Sequence, residues 1–325
     1  MWTYILRRTL YNIPVFLAIV FILMAALRVN DPVSAQLGKN ATQETIELLE
    51  TEYGLDKPFR VQYVVFLKKL VTLDFSERSW DQGFPVSEMI FNAVPPSMAI
   101  TIPTLVITAT IAICVGLVSA FNRGKTLDRS LMFIAVIGMS ISVLVYIILG
   151  QYFGAFVPSE TIDNWPFEVA VDASAGESKW FFFSPAQWIS FCMLPVLINV
   201  VVALGYDTRF YRAVMVEESQ RDYIRTAKAK GASTGRVMFV HMLKNAMIPI
   251  ITRIMISLPF VITGSILIEV FFGIPGMGRT LINAINSKDF PVIQTFTALF
   301  AALFIVSNIL TDVLYALVDP RVRLS

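Results

Sequence analysis

Histidine occurs once, as His241, and cysteine twice, as Cys114 and Cys192, in a chain of 325 residues. A single histidine excludes multi-histidine metal centres and any HExxH helix. The two cysteines sit inside apolar stretches far apart in sequence, which supports neither a disulfide framework nor a cysteine-based zinc site. Charge is also scarce: Asp, Glu, Lys and Arg make up 15% of the residues, against 56% hydrophobic ones and a mean hydropathy of +0.67. Soluble globular domains carry nearer to about 25% charge, so this chain belongs in a bilayer. Apolar runs of about 20 residues take up most of its length and leave no room for a large soluble catalytic domain.

Six segments are long and apolar enough to cross as helices: Leu10–Leu27, Ala99–Phe121, Leu131–Phe156, Trp188–Tyr206, Ile248–Phe272 and Val292–Val318. Hydrocarbon offers no partner to an open backbone, so the expected fold class is an all-α polytopic membrane protein with six transmembrane helices. Arg7 and Arg8 precede the first segment as in a secretory signal, yet the run is long for one and no A-x-A site follows, so it reads as an uncleaved anchor. Threading from a cytoplasmic N-terminus puts Arg123, Lys125, Arg129, the basic residues from Arg209 to Lys244, Arg321 and Arg323 inside. The short outer loops hold only Lys179, Arg279 and Lys288. This asymmetry places both termini in the cytoplasm.

Two parts follow: residues 1–96, an anchor helix with an extracytoplasmic loop, and residues 97–325, a five-helix core with an inner loop at 207–247. The outer loop is acidic, with Glu44, Glu47, Glu50 and Glu52, and reads as structured. Asn40 can cap a helix with Gln43 at its third position, Ile46, Leu49 and Tyr53 form a face, and Gly54 ends it. A second helix starts after Pro58 and runs through Val61, Val64, Val65 and Leu67 to Lys69. The pair serves either as a cap over the outer mouth or as a docking surface for an external partner. Trp165, Trp180, Trp188 and Phe181–Phe183 suit the aromatic belt at the membrane surface.

The longest inner loop centres on Asp222-Tyr-Ile-Arg-Thr-Ala-Lys-Ala-Lys-Gly231. Asp222 reads as an N-cap that complements the positive helix end, and Gly231 as the left-handed C-terminal position. Helical spacing puts Arg221, Arg225 and Lys228 on one face. Tyr223 and Ala227 share another, a small-residue face able to seat in a cleft of another protein.

Together with His241-Met-Leu-Lys-Asn-Ala246 and Pro249, this run resembles the EAA-loop coupling segment of an ABC importer permease of the dipeptide/oligopeptide/nickel class. Asn30-Asp-Pro32, Leu55-Asp-Lys-Pro58, Phe272-Gly-Ile-Pro-Gly-Met-Gly-Arg279, Lys288-Asp-Phe-Pro-Val292 and Asp319-Pro-Arg-Val-Arg323 extend the resemblance over essentially the whole chain. Arg225 and Thr226 stand where the general pattern has Glu and Ala, while Ala227 and Gly231 match. The Arg-Thr-Ala form points to the peptide class rather than to the sugar and amino-acid classes. Asn30 replaces the usual glycine before Asp31-Pro32.

The resemblance implies a permease subunit in a bacterial or archaeal plasma membrane. Its implied partners are a second homologous permease subunit, two cytoplasmic ATPase subunits, an extracytoplasmic solute-binding protein and membrane lipid. It implies that Arg221, Asp222, Tyr223, Arg225, Thr226, Ala227, Lys228 and Gly231 form the ATPase-coupling element. ATP and Mg²⁺ would sit on the partner ATPases, with no cofactor, nucleic acid or catalysis on this chain. Peptides are the implied cargo, although nickel chelates, opines and oligosaccharides use similar subunits.

Other signals are weaker. Ser119-Ala-Phe-Asn-Arg-Gly-Lys-Thr126 imitates the end of a phosphate-binding loop but lacks its first glycine and leaves a membrane helix, so nucleotide binding is not expected. Pro275–Arg279 reads as a tight re-entry turn, and Gly150 with Gly154 as close helix packing. Ionisable groups at the centre of a span cost about 2.5–3.5 kcal/mol, which singles out three residues. Arg253 and Asp312 read as a structural pair, and Glu269 as a candidate for a water-filled path. Ser140, Ser142, Thr263, Ser265 and Asn308 are further path candidates, explained equally well by helix-to-helix hydrogen bonding. His241 is expected to pack against the loop helices. The alternative function, an ion-coupled secondary transporter, needs charged or unwound mid-bilayer sites and paired repeats, neither of which stands out. A membrane-embedded enzyme needs a nucleophile–base or paired-carboxylate constellation within a span, and none is evident.

Overall fold

A computed structural model describes residues 2–28, 33, 43–171 and 184–318. Asn30-Asp-Pro32, the Asn40 cap, Lys179, Trp180, Phe181–Phe183 and Asp319–Arg323 lie outside the described residues, as do the side chains of Ile46 and Asp312. What is described is helical and contains no strand beyond an isolated bridge between Arg78 and Pro85.

In chain order the helices are α1 (Trp2–Leu27), α2 (Gln43–Glu52), α3 (Phe59–Thr72), α4 (Val86–Phe121), α5 (Thr126–Ser140), α6 (Val143–Gln151) and α7 (Val157–Thr161). There follow α8 (Pro185–Trp188), α9 (Leu194–Ser219), α10 (Asp222–Ala229), α11 (Thr234–Arg236), α12 (Leu243–Thr263), α13 (Ile266–Phe271), α14 (Met277–Ser287) and α15 (Phe290–Val318). Wider π-helical turns at Tyr152–Phe156, Ile189–Met193 and Val237–Met242 join α6 to α7, α8 to α9 and α11 to α12. Six stretches are long and apolar enough to cross a membrane: Leu10–Leu27, Val86–Phe121, Val143–Thr161, Pro185–Ser219, Thr234–Phe271 and Phe290–Thr311.

The span boundaries differ from the hydropathy reading in two ways. Helices continue past their apolar cores where the extra turns find packing partners. α4 begins at Val86, not Ala99, because Val86 and Ala93 are buried against Met277, Leu281 and Phe296. α9 runs beyond Tyr206 to Ser219, burying Tyr211 and Met215 against the 222–250 region. Two expected spans are instead broken. The third parts at Ile141–Ser142, which are extended, and the freed carbonyls of Gly138 and Met139 accept the hydroxyls of Tyr146 (2.9 Å) and Tyr206 (3.3 Å). The fifth parts at Gly264–Ser265, between α12 and α13.

α4 and α9 form the axis of the bundle, α5 and α6 lean on α9, and α12 bridges α4 to α15. At Gly116 an added Cβ would lie 2.9 Å from the backbone nitrogen of Arg212, so only glycine permits this α4–α9 approach. Gly150 and Gly154 do pack closely: a Cβ there would meet the Ile198 and Leu194 side chains at 2.4 and 2.8 Å. α3 docks on α1 and α15 through Phe59, Tyr63, Phe66, Leu67 and Leu70. Val61, Val64 and Val65, through which the expected helix runs, are exposed, and the helix runs to Thr72 rather than Lys69.

At the start of α5 the buried carboxylate of Asp128 accepts both Nε (2.6 Å) and Nη2 (2.7 Å) of Arg212, the Gly124 amide (2.9 Å) and the Ser119 hydroxyl. The 119–126 run that imitates a phosphate loop therefore wraps the chain's own carboxylate. The Arg212 guanidinium holds the Asp128 carboxyl well below the usual aspartate range, against the upward push of burial. Removing one partner of such a pair strands a buried charge, at a cost of about 3–5 kcal/mol. Arg212→Met should lower the unfolding free energy in detergent by that amount, and adding Asp128→Asn should recover part of it. Because the folded pKa is depressed, this contribution is complete above the unfolded aspartate value of about 3.9 and fades only as pH falls further. In Arg212→Met burial acts on Asp128 without its main opposing partner and raises its pKa, so the gap from wild type should be largest near pH 8 and narrow as pH falls toward about 5 and the stranded carboxylate takes up a proton.

Candidate functional site

α10 lies at the basic end of the bundle, which carries the 207–245 segment. Its N-cap is Arg221, in extended backbone, so Asp222 is the first helical residue and not the cap. The entry is held from outside instead. Arg221 donates to Glu217 (2.9 Å) and pairs with Glu218 at 3.7 Å, and Tyr223 donates its hydroxyl to Glu218. Burial, and next the bond to Glu218, push the Tyr223 phenol above its ordinary value, so it stays a donor.

The exit is a complete Schellman motif. Gly231 is left-handed (φ +77°), its amide donates to Lys228 O (3.0 Å), and the Ala232 amide donates to Ala227 O (3.1 Å).

Ile224 and Ala227 are buried, packed with Tyr211, Met215, Val237, Met242, Ala246 and Ile250. This corrects the expected small-residue docking face: the Ala227 side is turned into the chain's own spans, because it completes an apolar cluster that α9 and α12 cannot close alone. The outward face carries Asp222, Arg225, Thr226, Lys228 and Ala229, with the side chains of Asp222 and Arg225 96% and 79% exposed. A rigid polar ridge on an apolar plug is the result. His241, partly buried in the π-helical turn, accepts Asn245 Nδ2 on its carbonyl (2.7 Å).

At the far end a second element is built around Glu269, which is 1% exposed. The start of α14 leaves backbone amides without intrahelical partners. Glu269 Oε2 accepts the amides of Gly278 (2.8 Å) and Arg279 (3.1 Å), and its Oε1 accepts the Ser97 hydroxyl (2.7 Å). Ser97 Oγ in turn accepts the Met277 amide (2.8 Å). A Cβ on Gly264 or Gly276 would come within 1.8 and 2.4 Å of the Glu269 carboxyl group, which explains the glycine-rich 273–278 turn. Glu269 thus faces a helix terminus, not an open path. Nearby, buried Asp289 accepts the amides of Trp80 (3.2 Å) and Asp81 (3.3 Å) and the Ser79 hydroxyl, tying the outer segment to the start of α15.

The remaining expected path residues are dispersed. Ser140 and Ser142 are exposed at the break in the third span, with Ser140 bonded to Val136 O (2.7 Å). Thr263 is buried, Ser265 sits in the break of the fifth span, and Asn308 is exposed on α15. Arg253 pairs with Asp207, at 2.8 Å on α9, and the Asp312 side chain expected as its partner lies outside the described residues. Asp128, Asp207, Ser97 and Asp289 were not singled out by sequence. The available signal was opposite charge or hydroxyl at a span end, but spacing alone does not say which ends meet. Among the described residues no group of three His, Cys, Asp or Glu could hold a metal ion.

A family model described as the binding-protein-dependent transport system inner membrane component matches residues 112–324, and one for the N-terminal part of such membrane components matches residues 1–102. Similar proteins include the probable peptide ABC transporter permease protein y4tP of Sinorhizobium fredii, 33% identical over 99% of this chain and 100% of that protein. The oligopeptide transport system permease protein AppB of Bacillus subtilis is 32% identical over 99% of this chain and all of its own length. The dipeptide transport system permease protein DppB of Alkalihalophilus pseudofirmus is 30% identical over the same shares.

The α10 exit offers a direct check. A Cβ at Gly231 meets nothing within 4 Å, so the penalty of a substitution there is purely conformational, about 1–2 kcal/mol. Gly231→Ala should raise amide exchange across 222–232 by roughly 5–30-fold, with Gly231→Asn milder because Asn tolerates the left-handed region.

Proposed function

We infer the working of this chain from the premise that it belongs to the binding-protein-dependent transport family of inner-membrane components. It is a multi-pass, all-α permease subunit of a binding-protein-dependent ABC importer of the peptide class. Membership implies ATPase and binding-protein partners. In our proposal the assembly holds a second, homologous permease subunit and two ATPase subunits. The basic end and both termini face the cytoplasm, and a binding protein delivers di- or oligopeptides to the opposite face. ATP and Mg²⁺ reside on the ATPases, and this chain contributes motion rather than chemistry.

The observation that carries the proposal is the mounting of α10. It is capped at its exit, plugged into the bundle by Ile224 and Ala227, and polar on its outward face. Only Gln220 and Arg221 separate it from α9, and on its other side the π-helical turn leads into α12. An ATPase cleft that grips the outward face therefore moves α9 and α12 together, and α12 ends at the Gly264 break next to Glu269. Turning a two-state assembly from 1:99 to 99:1 takes a differential grip of about 5.5 kcal/mol, which repeated ATP binding and hydrolysis can supply. A gradient-driven carrier is the reading that family membership sets aside.

Arg225→Glu combined with Ala229→Trp alters only the outward face. Insertion and thermal stability should remain at wild-type level. ATPase subunits should bind at least tenfold more weakly in co-sedimentation with membranes, equivalent to about 1.4 kcal/mol, and uptake should be lost. Ile224→Ser should show the opposite order, losing stability first. Wild-type ATPase binding and uptake in the double variant would remove the coupling role from α10.

A further inference from the structure

A cavity of about 520 Å³ lies between the last turn of α1, the α2–α3 segment, the 77–80 turn and the start of α15. It is at the end of the bundle opposite α10, since α10 packs at the Leu117–Ala120 end of α4 and the 77–80 turn leads into its Val86 end. Ligand sites run to about 300–1,000 Å³, so the size fits a small molecule or a headgroup. Two kinds of lining meet there. Met24, Val61, Val65 and Phe66 form an apolar wall, and Lys57, Lys69, Glu77 and Arg78 bring charge. Glu77 is the one acid in the lining and is taken by Lys69, whereas Lys57 and Arg78 are exposed and form no ion pair among the described residues. Gln294 is what asks for a ligand. It is 6% exposed and lines the cavity, yet its side-chain amide bonds to no described residue. A buried amide with its donors and acceptor unmatched calls for an explanation.

Depth separates a lipid from a soluble anion. At about 1.5 Å per residue, Met24 lies about 4.5 Å inside the Leu27 end of α1 and Gln294 about 6 Å inside the start of α15. Val20 and Ala298, which pack against Phe66 of α3, lie about 10 and about 12 Å inside. One leaflet of hydrocarbon is about 15 Å thick, so α3 and the cavity sit where headgroups meet chains. α3 is also apolar on two sides. Phe59, Tyr63, Phe66 and Leu70 are docked on α1 and α15, while Val61, Val64, Val65 and Val71 on the opposite side are all exposed, Val71 by 83%. Helices at the interface bind by burying such a face and by attraction of basic residues to anionic lipid, and Arg60 and Lys68 supply further exposed charge here. Val61 and Val65 belong both to the exposed face and to the cavity wall, so the wall runs out toward the bilayer.

We propose that this cavity binds the headgroup of an anionic phospholipid, its charge matched by Lys57 and Arg78 and its hydrogen-bonding groups by Gln294, with the acyl chains along Val61 and Val65. The proposal needs neither the peptide cargo nor the coupling role of α10; the orientation given above only makes the leaflet the outer one. The test uses the complete importer in phosphatidylcholine nanodiscs. Trp80 lines the cavity and serves as reporter, its emission being the difference between the wild-type importer and one carrying Trp80→Phe. Phosphatidylglycerol with brominated chains should quench that emission at a mole fraction at least tenfold below the one that brominated phosphatidylcholine requires. Lys57→Gln combined with Arg78→Gln should abolish the preference, and Lys57→Arg combined with Arg78→Lys should keep it. Equal quenching by the two lipids makes the cavity ordinary contact with the bilayer and overturns the proposal. A preference that survives the glutamine variant places the lipid elsewhere and equally overturns it. Absence of quenching by either lipid means that a protein partner covers the cavity, and recovery of emission on adding millimolar inorganic phosphate means that a soluble anion is the ligand; each result removes the lipid.

Discussion

A buried carboxylate that collects donors from distant parts of the chain is the interaction on which this structure depends. Among the described residues it occurs three times, each time with a serine hydroxyl and backbone amide donation, and at Asp128 with a guanidinium as well. Asp128 takes Ser119, the Gly124 amide and Arg212; Glu269 takes Ser97 and the amides of Gly278 and Arg279; Asp289 takes Ser79 and the amides of Trp80 and Asp81. Hydrogen bonds to a charged group contribute about 1.5–3 kcal/mol each, and a buried charge left partly unmatched is expensive, so such sites are filled nearly completely or not built. Each carboxylate accepts amides of a turn or helix start that the chain cannot satisfy locally. Turns that would otherwise be the weakest parts of a membrane bundle become its fixed points.

Fixing the turns settles where the bundle can yield. Asp128 locks α5 to α9, Asp289 locks the outer segment to α15, and the Asp207–Arg253 pair ties α9 to α12 toward one end of their contact, yet among the described residues no such knot crosses the middle of α4, α9 and α12. There the structure has a cavity and a broken span instead. α10 is joined by two residues to α9 and through residues 230–233, α11 and a π-helical turn to α12, so a force on it acts on the two helices flanking that cavity. The Glu269 site is different in kind from the other two: it is tied to the break itself, since Gly264 is shaped around its carboxyl group. Any rearrangement of the α12–α13 joint must therefore carry the start of α14 with it.

Much of this was legible in the residues. Six apolar segments, the all-α class and the left-handed role of Gly231 follow from hydropathy and backbone sterics, which are local properties. One misreading is local, since Asp222 is the first residue of α10 and not its cap; the others mostly concern which surface meets which. Spacing placed Ala227 on a distinct face of α10 but could not say that the face is needed to close the chain's own core. Val61, Val64 and Val65 make an apolar stripe as good as the Phe59–Tyr63–Phe66 stripe that α3 actually buries, and only the position of α1 and α15 decides between them. Arg253 pairs with Asp207 on α9, a contact between helices about which hydropathy carries no information. The break at Ile141–Ser142 has no proline or glycine to announce it. It is made possible by Tyr146 and Tyr206, whose hydroxyls take over the carbonyls it exposes.

The same contrast bears on where selectivity can arise. A site that discriminates strongly does so by leaving its own buried polar groups unpaired when the wrong ligand enters. In the α4–α9–α12 cavity the hydroxyls of Thr104 and Thr108 are already tolerated without partners, and its one acid is paired with Arg253, so it has little with which to reject one side chain and admit another. Discrimination between side chains then has to act elsewhere in the assembly. Asp289 holds the 79–81 turn in fixed register with α15, so that segment is a rigid surface and not a loose loop.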